Sequence, residues 1–389
     1  MNAPQLLVVH DDDLGMDYGG DHPTDRRRHR LAVALAREAG VLDAPGVEMF
    51  PARGPMDDEH LAQMFAPAFI RAIRGYSATP VLAATPEARQ WGIGGDIDAY
   101  KGMHEDSARL CQAAWDAASA VGEGRARSAI VPAGGAHHGV VNRAWGFGIY
   151  NDTAVAVHAL RAAGAERIAY VDIDVHHGNG TQWIFWDDPG VLTLSVHESG
   201  NFLFPGSGFP SEIGGPGAEG SAINVSLPPY AGDDAYRRVV AEVVEPAVRA
   251  FRPDAIVSQC GVDHHHADPL AHILTTMPLY PEIWRSLHAL AADCCDGRWV
   301  VLAGGGYDPC TAPPRAWASL MARMAEVDLP RETPASWRAI AADAGCAVPA
   351  TGWTDDPGPE PDATRDARAT AEVDAAIAET RSVSTLLGA

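Results

Sequence analysis

Short apolar runs recur along this chain, each ending in polar residues, and longer stretches with apolar residues every three or four positions lie between them. Gln5 to Val9 is the first run; Ser128 to Ala133, a run ending at Tyr170 and Val171, Val191 to Val196, Asp254 to Gln259 and Trp299 to Ala303 come after it. Compact apolar runs of this kind fit strands covered on both faces, as in a parallel sheet. The segments near His29 to Ala39, Gly54 to Ala68, Met103 to Val121, Asp152 to Ala163, Asp234 to Phe251 and Tyr280 to Asp293 carry helical spacing and supply the crossovers. Strand and helix in alternation predict an α/β fold with a mainly parallel central sheet. Beyond Thr351 the composition shifts to Asp, Pro, Thr and Ala. Residues 1–350 are therefore expected to form the domain, and 351–389 a partly flexible C-terminal extension with a short helix around Ala369 to Arg381.

The polar residues at the ends of these runs point to chemistry. The run ending at Val171 continues as YVDIDVHHGNGTQ, in which Asp172, Asp174 and His176 alternate and so share one face of an extended segment. Ser128 to Ala133 leads into Gly134, Gly135, Ala136, His137 and His138. Val191 to Val196 leads into His197 and NFLFPGSG, Asp254 to Gln259 into Asp263, and Trp299 to Ala303 into Gly304, Gly305, Gly306 and Tyr307. Open parallel sheets place ligands at the carboxyl ends of their strands. Carboxylates with an imidazole suit zinc or iron, and a small ligand set leaves room for water or substrate. A turn or helix-capping cluster is the alternative, but several polar groups directed to one side of a buried strand cost several kcal/mol without partners. The set suggests a hydrolase in which a metal activates water, paired histidines move protons and a tyrosine donates to an oxyanion.

Charge narrows the partners. The net charge is -22 and Lys101 is the only lysine, which disfavours direct binding to nucleic acid or to an anionic membrane surface. No segment has the apolar length needed to cross a bilayer, and the N-terminal run reads as a first strand and not a signal peptide. The six cysteines show no paired-ligand or secreted-domain spacing, so a cytoplasmic protein with reduced thiols is expected.

GGAHHG, DIDVHHGNG, FPGSG and GGGY in this order resemble the histone deacetylase family of the arginase-deacetylase fold over roughly Leu6 to Trp337. QCGVDHHHADPLAHI, followed by PRAW at Pro314 to Trp317, is similar to the bacterial acetoin-utilization branch. The resemblance implies a single three-layer α/β/α domain and metal-dependent release of acetate from acetylated lysine in a protein or peptide. An acetylpolyamine amidohydrolase is the alternative. It implies Zn2+, or else Fe2+, at Asp174, His176 and Asp263, and a structural monovalent cation such as K+ near Asp172, Asp174, His176 and Ser195. His137 and His138 match the tandem active-site histidines, Asp172 the acid beside the first, and Tyr307 the oxyanion-stabilising tyrosine. Phe147 and Phe204 match the walls of the substrate tunnel and Leu270 its apolar rim. Gly305 falls among the substrate-binding positions, and Asp96 where an acid bonds the substrate backbone. Arg28 falls near an acetate-exit arginine, although Arg26, Arg27 and Arg28 leave the register open. His177 should point to the opposite face as a structural histidine, and His264, His265 and His266 should lie along an exposed rim loop.

Asn179 departs from the aspartate that many family members carry after HHG. Its amide oxygen can orient His138 but brings no charge to stabilise an imidazolium. A guanidinium hydrolase of the same fold calls for more aspartates than DIDVHHG supplies, and a noncatalytic acetyl-lysine scaffold would require neither the His137–His138 pair nor Tyr307.

Overall fold

The structure, a computed structural model, describes residues 3–20, 22–347 and 349–388. Its frame is one eight-stranded sheet of β1 (Leu6–Val9), β2 (Val47–Phe50), β3 (Ser128–Val131), β4 (Ile168–Asp172), β5 (Val191–Glu198), β6 (Ala222–Leu227), β7 (Ala255–Gln259) and β8 (Trp299–Leu302). The order across the sheet is β2-β1-β3-β8-β7-β4-β5-β6. Every pairing is parallel, from Leu6 opposite Val47 at one edge to Glu198 opposite Leu227 at the other.

The continuous apolar runs are explained by two cores. Leu6 and Val8 enter one core, Leu7 and Val9 the other, and Val301 parts from Val300 and Leu302 in the same way. Successive strand side chains point to opposite faces, so a strand covered on both sides must be apolar throughout. The helices Arg27–Glu38, Tyr280–Cys295 and Ala312–Met324 cover one face, and Pro67–Ala78, Met103–Gly122 and Asp152–Ala162 the other. Three layers result. Residues 233–251 form one rod in which a π-helical turn, Val240–Val244, interrupts the α-helix.

The C-terminal helix is longer than its pattern suggests, running from Ala363 to Val383 with Asp362 as its N-cap. It buries Val373 and Ile377 in the core, and Thr380 Oγ1 donates to the Asn224 carbonyl of β6 at 2.7 Å. Cys310 and Cys346 are joined in a disulfide with their Cα atoms 5.3 Å apart, against the expectation of reduced thiols throughout. The partners lie 36 residues apart in segments that only the folded chain brings together. No helix among the described residues is long and apolar enough to cross a membrane.

Candidate active site

Four adjacent central strands, β3, β8, β7 and β4, send their carboxyl-terminal loops to one place. Beyond β3 the loop delivers His137 and His138. Beyond β4 come Asp174 and His176, beyond β7 Asp263, and beyond β8 Gly305 and Tyr307.

Asp174, His176 and Asp263 are buried, and their donor atoms lie within 4.8 Å of one another. His176 Nδ1 faces Asp174 Oδ1 at 3.2 Å and Asp263 Oδ2 at 3.0 Å. The remaining carboxylate oxygens are occupied. Asp174 Oδ2 accepts from Gln259 Nε2 at 2.6 Å and from the Gly305 N–H at 2.8 Å, and Asp263 Oδ1 accepts from the Val175 N–H at 2.9 Å. Two desolvated carboxylates facing one imidazole require positive charge between them, and an oxygen–oxygen–nitrogen donor set of this reach fits a divalent metal. Within the pair the two carboxylates part: burial and then the neighbouring Asp174 push Asp263 up to about 7, whereas Asp174, though burial opposes it, is held well below the usual carboxylate range by His137 and His176. The close fit extends to the backbone. A Cβ at Gly305 would lie 2.1 Å from Asp263 Oδ2, and one at Gly261 would lie 2.2 Å from Asp174 Oδ2.

Beside this trio lies a proton-handling pair. His137 Nδ1 donates to Asp172 Oδ2 at 2.7 Å, and Tyr170 donates its hydroxyl to the same oxygen at 2.6 Å. Burial opposes charge on His137, but Asp172 and Asp174 outweigh it and raise its pKa. His138 Nδ1 donates to Asn179 Oδ1 at 2.6 Å, leaving Nε2 as the acceptor, 3.1 Å from His137 Nε2. Burial first, and then the charges of His137 and His176, hold the His138 pKa well below the usual imidazole range. The two rings are thus set apart: one favours the cation, the other the free base.

Aromatic rings flank the polar floor. Phe204, 39% exposed, has its ring centroid 5.0 Å from that of His138, while Phe147 lies 5.9 Å from Tyr307. Tyr307 in turn lies 6.4 Å from the His176 ring, and burial, with the nearby carboxylates, keeps its hydroxyl protonated. Arg28 Nη1 donates to the carbonyls of Gly304 and Gly306 at 3.0 and 3.1 Å, with its guanidinium over the Tyr307 ring. Its neighbours in the run bond elsewhere, Arg26 to Gly15 and Asp106 and Arg27 to Asp25. A cavity of about 70 Å3 is lined by His137, His138, Asp174 and Tyr307 together with Arg26 and Arg28.

The outlying residues fall in varied places. Asp96 is exposed, and its Oδ2 accepts from the Gly146 N–H at 2.9 Å beside Phe147. Leu270 is half-buried, with its N–H on Asp268 Oδ1. Gly305 meets the trio through its N–H on Asp174. His177 is structural as expected, bonded to Ser207 Oγ at 2.9 Å and Gln182 Oε1 at 3.1 Å. His264 is not on an exposed rim. It is buried, stacks on Tyr236 at 4.4 Å and bonds Thr275 Oγ1 at 2.7 Å, because the chain turns inward directly after Asp263. His265 is buried as well, and His266 is half-buried.

Several supporting residues escape the sequence reading. Asp152, fully buried, accepts the N–H groups of Gly135 and Ala136 and so anchors the histidine loop; burial raises its pKa to about 6. Asn151 caps the helix Asp152–Ala162 through Ala154 N–H and donates to the carbonyls of His137 and Gly139. The ND dipeptide reads only as a helix start; its second task is visible in the fold alone. Asp268 takes the Tyr307 N–H at 2.7 Å, and Gln259, on β7, orients Asp174.

Residues 22–324 match the model of the histone deacetylase domain. The chain belongs to the histone deacetylase family. Among its relatives is the acetoin utilization protein AcuC of Bacillus subtilis (strain 168), 36% identical over 318 residues covering 82% of this chain and 81% of that protein. AcuC of Staphylococcus xylosus is 35% identical over 345 residues, 87% of each chain. The crystal structure of the HDA15 HD domain superposes with a TM-score of 0.73 at 26% identity, covering 88% of this chain and 93% of that one. The three-layer sheet is therefore of the arginase-deacetylase type, and family membership supports deacetylase-type hydrolysis.

Proposed function

We propose that the chain hydrolyses the acetyl amide of acetylated lysine in a protein or peptide, with a divalent metal held by Asp174, His176 and Asp263. The observation that carries this reading is the opposed setting of His137 and His138 beside that trio. Zinc is the first choice and iron(II) the second. When bound, the ion supplies Lewis-acid polarisation of the amide carbonyl and a more acidic water.

The protein's own residues do the rest. Neutral His138 takes the proton of the attacking water at Nε2 and delivers it to the leaving amine. His137, held by Asp172, keeps positive charge beside the developing negative charge. Tyr307 donates its hydroxyl to the tetrahedral oxyanion, a contribution of about 3 kcal/mol in comparable sites. Phe147 and Phe204 guide the acetylated alkyl chain, Leu270 lies at the rim, and Asp96 keeps Oδ1 for a donor on the substrate. A monovalent cation among Asp172, Asp174, His176 and Ser195 and a cytoplasmic location complete the reading.

Acetylated polyamine is the second substrate reading, favoured by the charge of -22. Turnover of acetyl-lysine peptides and acetylated polyamines, measured side by side on protein of known metal content, separates the two. Tyr307→Phe is expected to retain metal and KM while kcat falls by about 100- to 1000-fold. Metal-loaded protein inactive on every acetylated amine would remove the proposal, and an unchanged kcat would remove Tyr307 from it.

A further inference from the structure

The loop after β7 has three points of attachment. It opens with Asp263 in the metal trio and closes with Asp268, whose Oδ2 holds the Tyr307 N–H at 2.7 Å. Between them His265 Nε2 and His266 Nε2 donate to the two oxygens of Asp356, both at 2.6 Å. Asp356 comes from the segment leading to the C-terminal helix. Its side chain is 3% exposed, and it also accepts the Met277 N–H at 2.9 Å and the Gly358 N–H at 2.8 Å. The segment that carries it is tied down in turn, because Arg315 Nη1 donates to the carbonyls of Gly352 and Asp355 at 3.1 and 2.7 Å.

His265, His266 and Asp356 have the composition and reach of a second metal site. Proton placement decides otherwise. The Ala267 N–H donates to His265 Nδ1 at 3.2 Å, so neutral His265 carries its proton on Nε2, the atom directed at Asp356. A metal would need a lone pair there. With four N–H donors on one buried carboxylate, the cluster is complete without an ion.

We propose that Asp356 is a positioning residue for the active site: through His265 and His266 it fixes the loop that carries Asp263 at one end and holds Tyr307 from the other. The proposal rests on the roles given above to Asp263 and Tyr307. It makes the segment after residue 350 part of the catalytic apparatus, since residues that orient metal ligands commonly change metal affinity or activity by about 10- to 100-fold.

The test uses the full chain with Asp356→Ala, Asp356→Asn, His266→Ala and His266→Gln. Metal dissociation constants are read by chelator competition, kcat and KM on an acetyl-lysine peptide, and Tm by circular dichroism. Asp356→Ala is expected to weaken metal binding and lower kcat by about tenfold or more each, with KM within about twofold. His266→Gln, whose amide N–H can reach the same oxygen, should recover most of what His266→Ala loses, and this pair remains decisive if Asp356→Ala does not fold. A lower Tm with metal affinity and kcat unchanged in the folded protein would overturn the proposal. So would two metal ions per wild-type chain falling to one in Asp356→Ala, because the cluster would then be a metal site. If the wild type turned over no acetylated substrate, the function proposed above would fail, while the metal-affinity arm would still decide the role of Asp356.

Discussion

Asn179 accepts the Nδ1 proton of His138 at 2.6 Å, which leaves the ring's only lone pair on Nε2, 3.1 Å from His137 Nε2. Buried, and beside His137 and His176, His138 has its pKa depressed, so the free base persists to low pH. A general base works only when neutral, so its pKa sets the acid limb of the kcat/KM profile and depression moves that limb to lower pH. Asn179→Asp places a carboxylate against Nδ1 and also removes the buried Asn179 Nδ2, which has no acceptor among the described residues. The His138 pKa must rise, and the acid limb must move to higher pH. At pH values well below neutral the variant should lose about tenfold or more in kcat/KM relative to wild type, with little change on the plateau. Matching acid limbs in the two proteins would show that Asn179 does not govern the base. The residues gathered at the strand ends were legible in the sequence because their spacing there is short-range information. Asp152, Gln259, Asp268 and Asp356 were not, because each acts on a loop from another part of the chain.

At the scale of elements, the six strands found from apolar runs are the six inner ones, and the two missed, β2 and β6, are the sheet's edges. The reason is burial. β2 is four residues long with no buried position, and β6 alternates Ile223, Val225 and Leu227 with Asn224 and Ser226, so neither carries the continuous apolar run that marks a strand covered on both faces. The helical pattern between Gly54 and Ala68 likewise became two helices, Asp58–Leu61 and Pro67–Ala78, with Pro67 opening the second. The loop after β8 yields a prediction of its own. It packs backbone against carboxylates so closely that a methyl at Gly305 would fall 2.1 Å from Asp263 Oδ2 and 2.7 Å from Asp174 Oδ2. Gly305→Ala is therefore expected to displace both ligands, weakening metal binding by well over about tenfold and abolishing turnover. Gly54→Ala, where a Cβ would meet nothing within 4 Å among the described residues, is the control. Normal metal affinity in Gly305→Ala would mean that the trio tolerates the displacement and that its geometry is looser than the structure requires.

For the whole molecule the governing quantity is the net charge of -22 with a single lysine. Asp96, bonded to Gly146 beside Phe147, is exposed near the mouth of the site, and Asp98 is exposed two residues further on. Such a field repels anionic substrates and draws cationic ones, raising encounter rates in a way that salt suppresses once the Debye length falls below the dimensions of the cleft. The two substrate readings differ in this respect. Acetylation removes the charge of the reacting lysine, so a peptide with no other basic residue arrives neutral, whereas an acetylated polyamine keeps ammonium groups beyond the amide. Between about 20 mM and 500 mM salt, kcat/KM for the polyamine should fall by about tenfold, and for the neutral peptide by no more than about twofold. Because screening acts on encounter and not on the bond-breaking step, kcat should hold for both substrates, and a peptide flanked by arginines should behave like the polyamine. Substitution of Asp96 and Asp98 together by Asn should flatten the polyamine's salt dependence if the field is focused at the mouth. Equal salt dependence for neutral and cationic substrates would show that charge on this surface plays no part in their capture, leaving it only the task of keeping the protein dispersed in solution.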